Sequence, residues 1–271
     1  MIIQYCSDLH LEFRENLRYL TNNPIPPLGD VLILAGDVTT FTRIKVQQPF
    51  FDYLSDNFKV TYWIPGNHEY YDGDISERSG SVKEKIRGNV LLVNNQSFIH
   101  GTTRIICSTL WSHISEATRS RAENSISDFN AILLNGKRFS IDDFNELHKT
   151  NLAFLKSELE EEWMGTTIVA THHVPTLVNY PKKYKNDPLN EVFASEQTQL
   201  IFQASPDYWL YGHHHTNTPR FNIGKTELLT NQLGYVRHHE NSSFNSKQCV
   251  IAAGEETIPR LFWQELCFEY S

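Results

Sequence analysis

Histidine, aspartate and asparagine recur in five short clusters along the chain. Their side chains offer imidazole and carboxylate ligands without thiolates, which suits divalent ions such as Mn, Fe, Zn or Co, with Mg also open. The ligands outnumber those that one tetrahedral ion takes, so they indicate two ions that share a carboxylate. Two ions about 3.5 to 4 Å apart favour in-line displacement at phosphorus. The residues concerned are Asp8, His10, Asp37, Asn67, His68, His172, His213 and His215.

Each cluster alone also has an ordinary structural explanation. A lone Asp after a strand, such as Asp37, more often closes an Asx-turn or caps a helix than binds a metal. The stretch Gly66-Asn67-His68-Glu69 by itself favours a simple turn, because short motifs also occur by chance. The recurrence of such clusters at five predicted strand ends favours one common site over five unrelated turns.

Apolar runs with strand character stand directly before the clusters. Residues 31–35, for example, are apolar throughout and predict a strand that is buried on both faces. With a helix predicted over 47–58, the order of elements indicates right-handed βαβ crossovers and a parallel sheet. Ligands of open α/β sheets bind outside the carboxyl ends of the strands, which is where the clusters lie. The strands predicted to carry them span 2–6, 31–35, 60–65, 166–171 and 207–211.

The spacing inside two clusters predicts which side chains share a direction. Asp8 and His10 are two residues apart, as are His213 and His215, so on an extended backbone each pair points the same way. The same alternation turns His214 to the opposite side, so His214 is not an expected ligand.

Other elements are predicted from weaker patterns. The longest helix should begin at the N-cap Ser140, with Asp143 completing a weak capping box. Residues 11–28 contain three prolines and are predicted to be irregular. Strands at 89–93 and 103–111 are predicted to pair antiparallel, because the connection between them is short. The remaining helices are predicted at 81–86, 119–129, 140–163 and 196–204, and the remaining strands at 226–230, 248–253 and 260–268.

Composition limits the classes of function. The net charge of −8 argues against a surface for long nucleic acid. No stretch approaches the roughly 18 to 20 apolar residues of a membrane span, and the four cysteines show no CxxC spacing. With no signal-peptide pattern at the start, we predict a cytoplasmic protein that enters no membrane. Without repeats or a low-complexity linker, residues 1–271 are predicted to form one domain.

Taken together, the clusters resemble the motifs of the calcineurin-like metallophosphoesterase family. That family's pattern is Asp-x-His, Gly-Asp, Gly-Asn-His-Asp/Glu, a His, and Gly-His-x-His. The resemblance extends over about three quarters of the chain and implies a four-layer α/β/β/α sandwich with two mixed sheets and a dinuclear metal site at the strand ends. The matching blocks are Asp8-Leu9-His10, Gly36-Asp37, Gly66-Asn67-His68-Glu69, His172 and Gly212-His213-His214-His215.

The resemblance also implies a role for each matching metal ligand. Asp37 would bridge the two ions together with a water or hydroxide, and its charge offsets the repulsion between them. His172 is preferred to His173, because Pro175 completes the family's His-x-x-Pro form. The other ligands are implied to be Asp8, His10 and His215 for one ion, and Asn67, His172 and His213 for the other.

Catalytic roles follow from the same resemblance. His68 matches the family's catalytic histidine, which protonates the leaving oxygen or stabilises charge on the phosphoryl group. Asn67 and His68 are implied to contact the substrate phosphate, with Asp37 completing the catalytic group. Glu69 is implied to support the site without binding metal, by orienting His68 or a ligand histidine.

These roles predict a metal-dependent hydrolase of a small phosphate monoester or diester. A metal-bridging hydroxide would attack phosphorus, with His68 as the general acid. Two alternatives stay open: a metal-binding scaffold without activity, and a nuclease or cyclic-nucleotide phosphodiesterase. Segments 112–150 and 176–191 are expected to form the pocket walls, and the second contains candidate phosphate contacts at Lys182, Lys183 and Lys185.

Overall fold

Two six-stranded sheets form the centre of the fold, which is known from a computed structural model that describes residues 1–252. The strands of this part are Ile2–Cys6 (β1), Val31–Ala35 (β2), Val60–Ile64 (β3), Gly73–Asp74 (β4), Val82–Lys85 (β5), Val90–Asn94 (β6), Gln96–His100 (β7), Thr103–Ser108 (β8), Ile132–Leu134 (β9), Lys137–Arg138 (β10), Thr166–Thr171 (β11), Tyr208–Tyr211 (β12), Phe221–Ile223 (β13), Thr226–Thr230 (β14) and Cys249–Ile251 (β15). Its α-helices are Arg14–Asn22 (α1), Gln48–Asn57 (α2), Glu116–Ser125 (α3), Asp128–Ala131 (α4), Ile141–Glu160 (α5), Asn190–Phe193 (α6) and Thr198–Ala204 (α7).

Both large sheets are mixed. The first sheet has the order β15-β1-β2-β3-β6-β5, and the second has the order β13-β14-β12-β11-β8-β7. In each sheet the four inner strands run parallel and both edge strands run antiparallel. A small third sheet has the order β10-β9-β4.

The large sheets pack face to face, with helices on their outer faces. Ile33 of the first sheet and Ile168 of the second belong to one buried cluster between the sheets. Helices α1 and α2 pack on the outer face of the first sheet, where Leu54 of α2 is buried. Helices α5 and α7 pack on the outer face of the second sheet, where Leu155 of α5 and Ile201 of α7 are buried. The predicted four-layer α/β/β/α sandwich with two mixed sheets is therefore confirmed.

Helix α5 begins where the sequence predicts. Ser140 Oγ accepts a hydrogen bond from the Asp143 amide, and the Asp143 carboxylate accepts one from the Ser140 amide, so the capping box is complete. The helix ends at Glu160, so Trp163 lies beyond it and donates its indole N–H to the Thr102 carbonyl.

Two local predictions are wrong. The helix predicted at 81–86 is instead strand β5 (Val82–Lys85), because partly buried and exposed residues alternate there in a two-residue period along an edge strand. Residues 11–28 are not irregular throughout, since α1 occupies Arg14–Asn22. The three prolines that suggested irregularity all follow the end of that helix.

The predicted pairing of strands 89–93 and 103–111 is also wrong. β6 lies in the first sheet and β8 in the second, and β8 pairs with β7, which the sequence pattern did not predict. Asn95 is the single residue between β6 and β7, and its φ of +50° turns the chain from one sheet to the other.

The strand predicted at 260–268 lies outside the described residues. Among residues 1–252, no helix has both the length and the apolar character needed to cross a bilayer.

Candidate metal centre

The clusters predicted from sequence converge at the carboxyl ends of the inner strands of both sheets. Asp8 and His10 follow β1, Asp37 follows β2, and His68 follows β3 in the first sheet. His172 follows β11 in the second sheet. The second sheet also contributes, after β12, the pair His213 and His215.

Four residues form a first group of ligand atoms at this point: Asp8, His10, Asp37 and His215. His10 Nε2 lies 2.9 Å from His215 Nε2 and 3.7 Å from Asp37 Oδ2. His215 Nε2 lies 3.4 Å from Asp8 Oδ1. Two imidazole nitrogens that face each other among carboxylate oxygens suit a shared metal ion.

A second group lies on the other side of Asp37. His172 Nε2 is 3.0 Å from His213 Nδ1, 3.3 Å from Asn67 Oδ1 and 3.4 Å from Asp37 Oδ1. The two oxygens of Asp37 thus face the two groups, Oδ2 towards His10 and Oδ1 towards His172. This position fits the sequence expectation of a carboxylate that two ions would share.

The strand ends are bent where the ligands lie. The φ angle is +56° at Asp8, +47° at His10, +54° at Asp37, +85° at His213 and +49° at His215. The sequence argument assumed an extended backbone for the two alternating pairs, and that assumption is wrong. Left-handed conformations at non-glycine residues cost about 1 to 3 kcal/mol each and cluster at functional sites.

Three motif glycines make room for the ligands. A Cβ at Gly66 would lie 2.2 Å from Asp37 Oδ1, and one at Gly36 would lie 2.1 Å from His172 Nδ1. A Cβ at Gly212 would lie 2.6 Å from Asp8 Oδ2. The ligand side chains therefore occupy the space that any other residue would fill.

Each of three candidate ligand histidines uses one ring nitrogen to hold its orientation. Nδ1 donates a hydrogen bond to an oxygen acceptor, and Nε2 is left facing the site, an arrangement typical of metal-binding histidines. The pairs are His10 with Glu12 (3.0 Å), His172 with the Ala35 carbonyl (3.0 Å) and His215 with Glu240 (2.8 Å).

Asn67 is oriented in a similar way. Its amide nitrogen donates to Asp128 Oδ1 at 2.8 Å, so its carbonyl oxygen is turned towards His172. Tyr71 donates to the same Asp128 oxygen at 2.6 Å. Asn67 therefore presents the oxygen, which is the atom that binds a divalent ion.

The buried carboxylates Asp37 and Asp8 would be stabilised in their ionised form by a nearby positive charge. Burial, with the charges of Glu69 and Asp8, raises the pKa of Asp37 well above its ordinary value. Burial also raises the pKa of Asp8, but the hydrogen bond with His215 and the nearby imidazoles lower it to below its ordinary value. Ionised carboxylates this deep need a cation or hydrogen bonds to offset their loss of hydration.

The imidazoles of the site are mostly neutral. Burial lowers the pKa of His10 and of His172 to about 4, and it lowers that of His213 well below its ordinary value. Burial opposes protonation of His215 too, but hydrogen bonds to Asp8 and Glu240 raise its pKa to about 9. A neutral ring keeps the lone pair with which histidine binds a metal.

A buried polar atom without a partner completes the test of fit. Asp37 Oδ2 has no hydrogen-bond partner, although it is enclosed. A buried atom of this kind is normally satisfied by protein, water or an ion. With the donor set and its orientation, this atom fits a site for divalent metal ions.

Glu12 is a residue of the site that the sequence argument did not find. Its Oε1 accepts hydrogen bonds from His10 Nδ1 at 3.0 Å and from His68 Nδ1 at 3.1 Å. These contacts and the charges of the two rings lower the pKa of Glu12 to about 2, although burial alone would raise it. The signal in the sequence was its nearness to the first cluster, because Glu12 is an acidic residue that follows His10 by two positions.

His68 is placed by a short network and reaches the cavity in front of the centre. Its backbone amide donates to Asp37 Oδ1 at 3.0 Å, and its Nε2 lies 3.2 Å from the Tyr235 hydroxyl. Its side chain is 12% exposed and stacks on Tyr71 with ring centroids 4.2 Å apart. The ring is therefore fixed in orientation, with its Nε2 on the side of the cavity.

Glu69 supports the site in a different way from the one expected. Its carboxylate accepts hydrogen bonds from the backbone amides of Asp37, Val38 and Gly66 and from the indole of Trp63. The interpretation that Glu69 orients His68 or a ligand histidine is wrong. It joins instead the turn after β2 to the turn after β3, which fixes the backbone on which Asp37 stands.

Two further histidines adjoin the centre. His173 is fully buried, packs on His213 at 4.2 Å between ring centroids, and has no hydrogen bond to either ring nitrogen. His172 and His173 therefore both lie near His213, but the contacts to Asn67 and Asp37 belong to His172. His214 is within hydrogen-bond distance of Gln232 and lies outside the groups of ligand atoms.

A cavity of about 380 Å³ opens in front of the centre. The candidate ligands Asp37, Asn67, His213 and His215 line its floor, together with His68. Its walls come from residues 125–128 of the segment 112–150 and from Tyr180, Tyr184, Asp187, Leu189 and Asn190 of the segment 176–191. Val192, Phe193, Tyr235 and Glu240, which lie outside both segments, complete the walls.

A model of the calcineurin-like phosphoesterase family matches residues 1–217. The chain belongs to the calcineurin-like phosphoesterase family. The matched range contains every cluster of the candidate metal centre and ends just after His215. Tyr235 and Glu240, which contact His68 and His215, lie beyond it.

Similar proteins span almost the whole chain. The uncharacterised protein L509 of Acanthamoeba polyphaga mimivirus is 31% identical over 270 residues, covering 90% of this chain and 94% of the viral protein. The phosphopantetheinyl hydrolase PptH of Mycobacterium tuberculosis has a TM-score of 0.65 at 18% identity, covering 95% of this chain and 98% of its own. A dimetal phosphatase from Danio rerio has a TM-score of 0.48 at 12% identity, covering 86% and 87%. The mycobacterial structure supports the fold.

Proposed function

We propose that this protein hydrolyses small phosphate esters with the help of two divalent metal ions. The observation that carries the proposal is the position of Asp37, whose two oxygens face two separate groups of ligand atoms beside a cavity. When bound, such ions activate a water and offset the charge of the phosphate. The ligands would be Asp8, His10, Asp37 and His215 for one ion, and Asp37, Asn67, His172 and His213 for the other.

His68 is the candidate for the general acid. It lies at the cavity, its Nδ1 is held by Glu12, and its Nε2 faces the same side as the Tyr235 hydroxyl. A ring held in this way, with one proton on Nδ1 and a second on Nε2, can donate the Nε2 proton to the oxygen of a departing alcohol and is left neutral. Such a group typically contributes about 10² to 10⁴-fold to a rate.

A reconstitution assay tests the proposal. The protein is stripped of metal, reloaded with Mn, Fe, Zn, Co or Mg, and assayed on para-nitrophenyl phosphate, on its bis-ester and on a phosphopantetheinyl ester. The last substrate is included because the mycobacterial structure is named for that group. Bound metal per chain is measured in parallel by mass spectrometry.

The outcomes separate the alternatives. About two ions per chain with turnover supports the proposal. Two ions without turnover under any metal would favour the scaffold without activity, and an absence of bound metal would overturn the site assignment. Turnover confined to polynucleotides or cyclic nucleotides would favour the nuclease or cyclic-nucleotide alternative.

The role of His68 is tested separately from metal binding. His68→Ala should lower turnover by about 10² to 10⁴-fold and leave the metal content unchanged. His238→Ala, at an exposed histidine outside the site, is the matched control and should change neither quantity. Equal loss of metal and turnover in His68→Ala would mean that His68 is structural.

A further inference from the structure

The side chains around the cavity are aromatic and acidic. Among residues 1–252, neither a lysine nor an arginine lines it. Three acidic groups lie in the walls beyond the candidate ligands: Asp128, Asp187 and Glu240. The aromatic side chains of the walls are Tyr71, Tyr180, Tyr184, Phe193 and Tyr235.

Two basic side chains lie beside the cavity without lining it. Lys183 is exposed, with its Nζ 4.7 Å from the ring centroid of Tyr184, and it is absent from the lining. Arg121 is exposed and pairs with Asp187 at 3.6 Å. The expectation that lysines of segment 176–191 line the pocket is therefore wrong for the cavity at this centre.

Charge then distinguishes the two kinds of phosphate ester. A phosphomonoester carries about 1.5 to 2 negative charges at neutral pH, because its second pKa is near 6. Sites that select such a dianion usually hold it with arginine or lysine. Here the extra charge would find no lysine or arginine in the lining and would lie near the carboxylates of the walls.

Three aromatic rings of the wall lie beside the histidines of the last cluster. Phe193 packs against His213 with ring centroids 4.9 Å apart, and Tyr180 packs against His214 at 5.4 Å. Tyr184 follows at 6.2 Å from Tyr180 and is partly exposed. Flat groups bind to such ring surfaces by stacking.

We propose that this site takes a phosphodiester monoanion in which at least one ester group is a flat ring, in preference to a phosphomonoester. The geometry of the metal centre places the phosphate at the cavity floor, and the rings of Tyr180, Tyr184 and Phe193 form the wall against which the ester group lies. This inference rests on the proposed function for the position of the phosphate.

Binding of three stable analogues to metal-loaded protein tests the inference without turnover. Diphenylphosphinate is a monoanion with two rings, dimethylphosphinate is a monoanion without rings, and phenylphosphonate is a dianion with one ring at about pH 8. Calorimetry should show diphenylphosphinate binding at least tenfold more tightly than each of the other two. Tighter binding of phenylphosphonate, or equal binding of the two phosphinates, would overturn the inference.

Variants of the aromatic wall assign the ring preference. The double variant Tyr180→Ala with Tyr184→Ala should reduce diphenylphosphinate affinity at least tenfold and leave dimethylphosphinate affinity unchanged. The double variant to phenylalanine keeps both rings and should keep the preference, which controls for loss of folding in the alanine pair. Retention of the full preference without either ring would contradict the assignment.

Lys183 provides a further discriminating variant. Lys183→Ala should leave the affinities for all three analogues unchanged, because its ammonium group lies outside the lining. A selective loss of phenylphosphonate affinity would mean that Lys183 serves as a monoester contact, against the inference.

Failure of the inference can be told apart from failure of the proposed function. Methyl para-nitrophenyl phosphate and para-nitrophenyl phosphate share a leaving group and differ in charge. Faster hydrolysis of the monoester would overturn the substrate class while the hydrolase stands. No hydrolysis of either ester, with the phosphinate preference intact, would overturn the hydrolase and leave the preference as that of a binding site.

Discussion

Glu12 connects the candidate metal centre to the candidate acid through a single oxygen. Its Oε1 accepts from both His10 and His68, so one carboxylate orients a ligand and the proton donor together. Its other oxygen is buried without a partner. A carboxylate in this position is expected to act through the two rings rather than on the substrate itself.

Replacing Glu12 with Gln should slow the release of basic leaving groups most. We expect a loss of about 10 to 100-fold in kcat for alkyl esters, which need a proton donor, and a smaller loss for para-nitrophenyl esters, which do not. Measured kcat values for both ester classes, with metal content, check this. Glu15→Gln, at an exposed position nearby, is the control. Equal losses of kcat for both ester classes, together with loss of bound metal, would mean that Glu12 acts only by orienting the ligand His10.

Gly66 allows a second prediction at the scale of one residue. Gly66→Ala places a methyl group 2.2 Å from Asp37 Oδ1 and 2.6 Å from His172 Nε2, so the shared carboxylate must move. We expect metal affinity to fall at least about tenfold, as for other changes that displace ligands. Metal titration checks this, with Gly88→Ala as the control, because a Cβ there meets no atom within 4 Å. Unchanged affinity in Gly66→Ala would argue that Asp37 does not bind metal.

At the scale of elements, the sequence predicted the inner strands well and the edges poorly. Val31–Ala35 is apolar throughout because an inner strand is buried on both faces. Edge strand Val82–Lys85 has only one partly buried face. Its Val82 lies four residues before Ile86, which follows the strand, and this spacing resembles that of a helix. The turn at Asn95 depends on which sheet each strand joins, and that is a property of tertiary packing rather than of local pattern.

The same limit explains which parts of the site were predicted. The candidate ligands stand beside predictable strands, so spacing identified them. Tyr235 and Glu240 reach His68 and His215 from a segment without a predicted element. Asp128 lies in the predicted helix 119–129, but nothing in that local pattern relates it to Asn67, and only the folded chain brings the two together.

Helix α5 provides a prediction for an element. Ser140→Ala removes half of the capping box and should lower the free energy of unfolding by about 1 kcal/mol. Ser157→Ala, at an exposed position on the same helix, should change it by less than about 0.5 kcal/mol. Urea unfolding of both variants checks this, and equal effects would show that the cap does not hold the helix start.

At the scale of the whole molecule, the candidate metal centre lies across the interface of the two sheets. Asp8, His10 and Asp37 come from the first sheet, and His172 and His213 come from the second. Asp8 also accepts a hydrogen bond from the backbone amide of His213 at 3.0 Å. Ions bound here would therefore contact both sheets.

Metal removal should lower stability accordingly. Each site filled at a metal concentration of 100 times its Kd contributes about 2.7 kcal/mol to the free energy of unfolding. We expect the melting temperature of stripped protein to rise on addition of metal, and to rise less in Gly66→Ala than in Gly88→Ala. Melting curves across a metal titration check this. An unchanged melting temperature in the wild-type protein would contradict binding at the folded centre.

The division of ligands between the sheets also sets the order of events in time. A complete ligand set forms only after β1, β2 and β3 have met β11 and β12. We predict that docking of the two sheets completes the slowest step of folding and that metal is captured after it. Interactions absent from that step alter the rate of unfolding and leave the rate of folding unchanged. The metal concentration would then set the lifetime of the folded protein through its unfolding rate, and would have little effect on its folding rate.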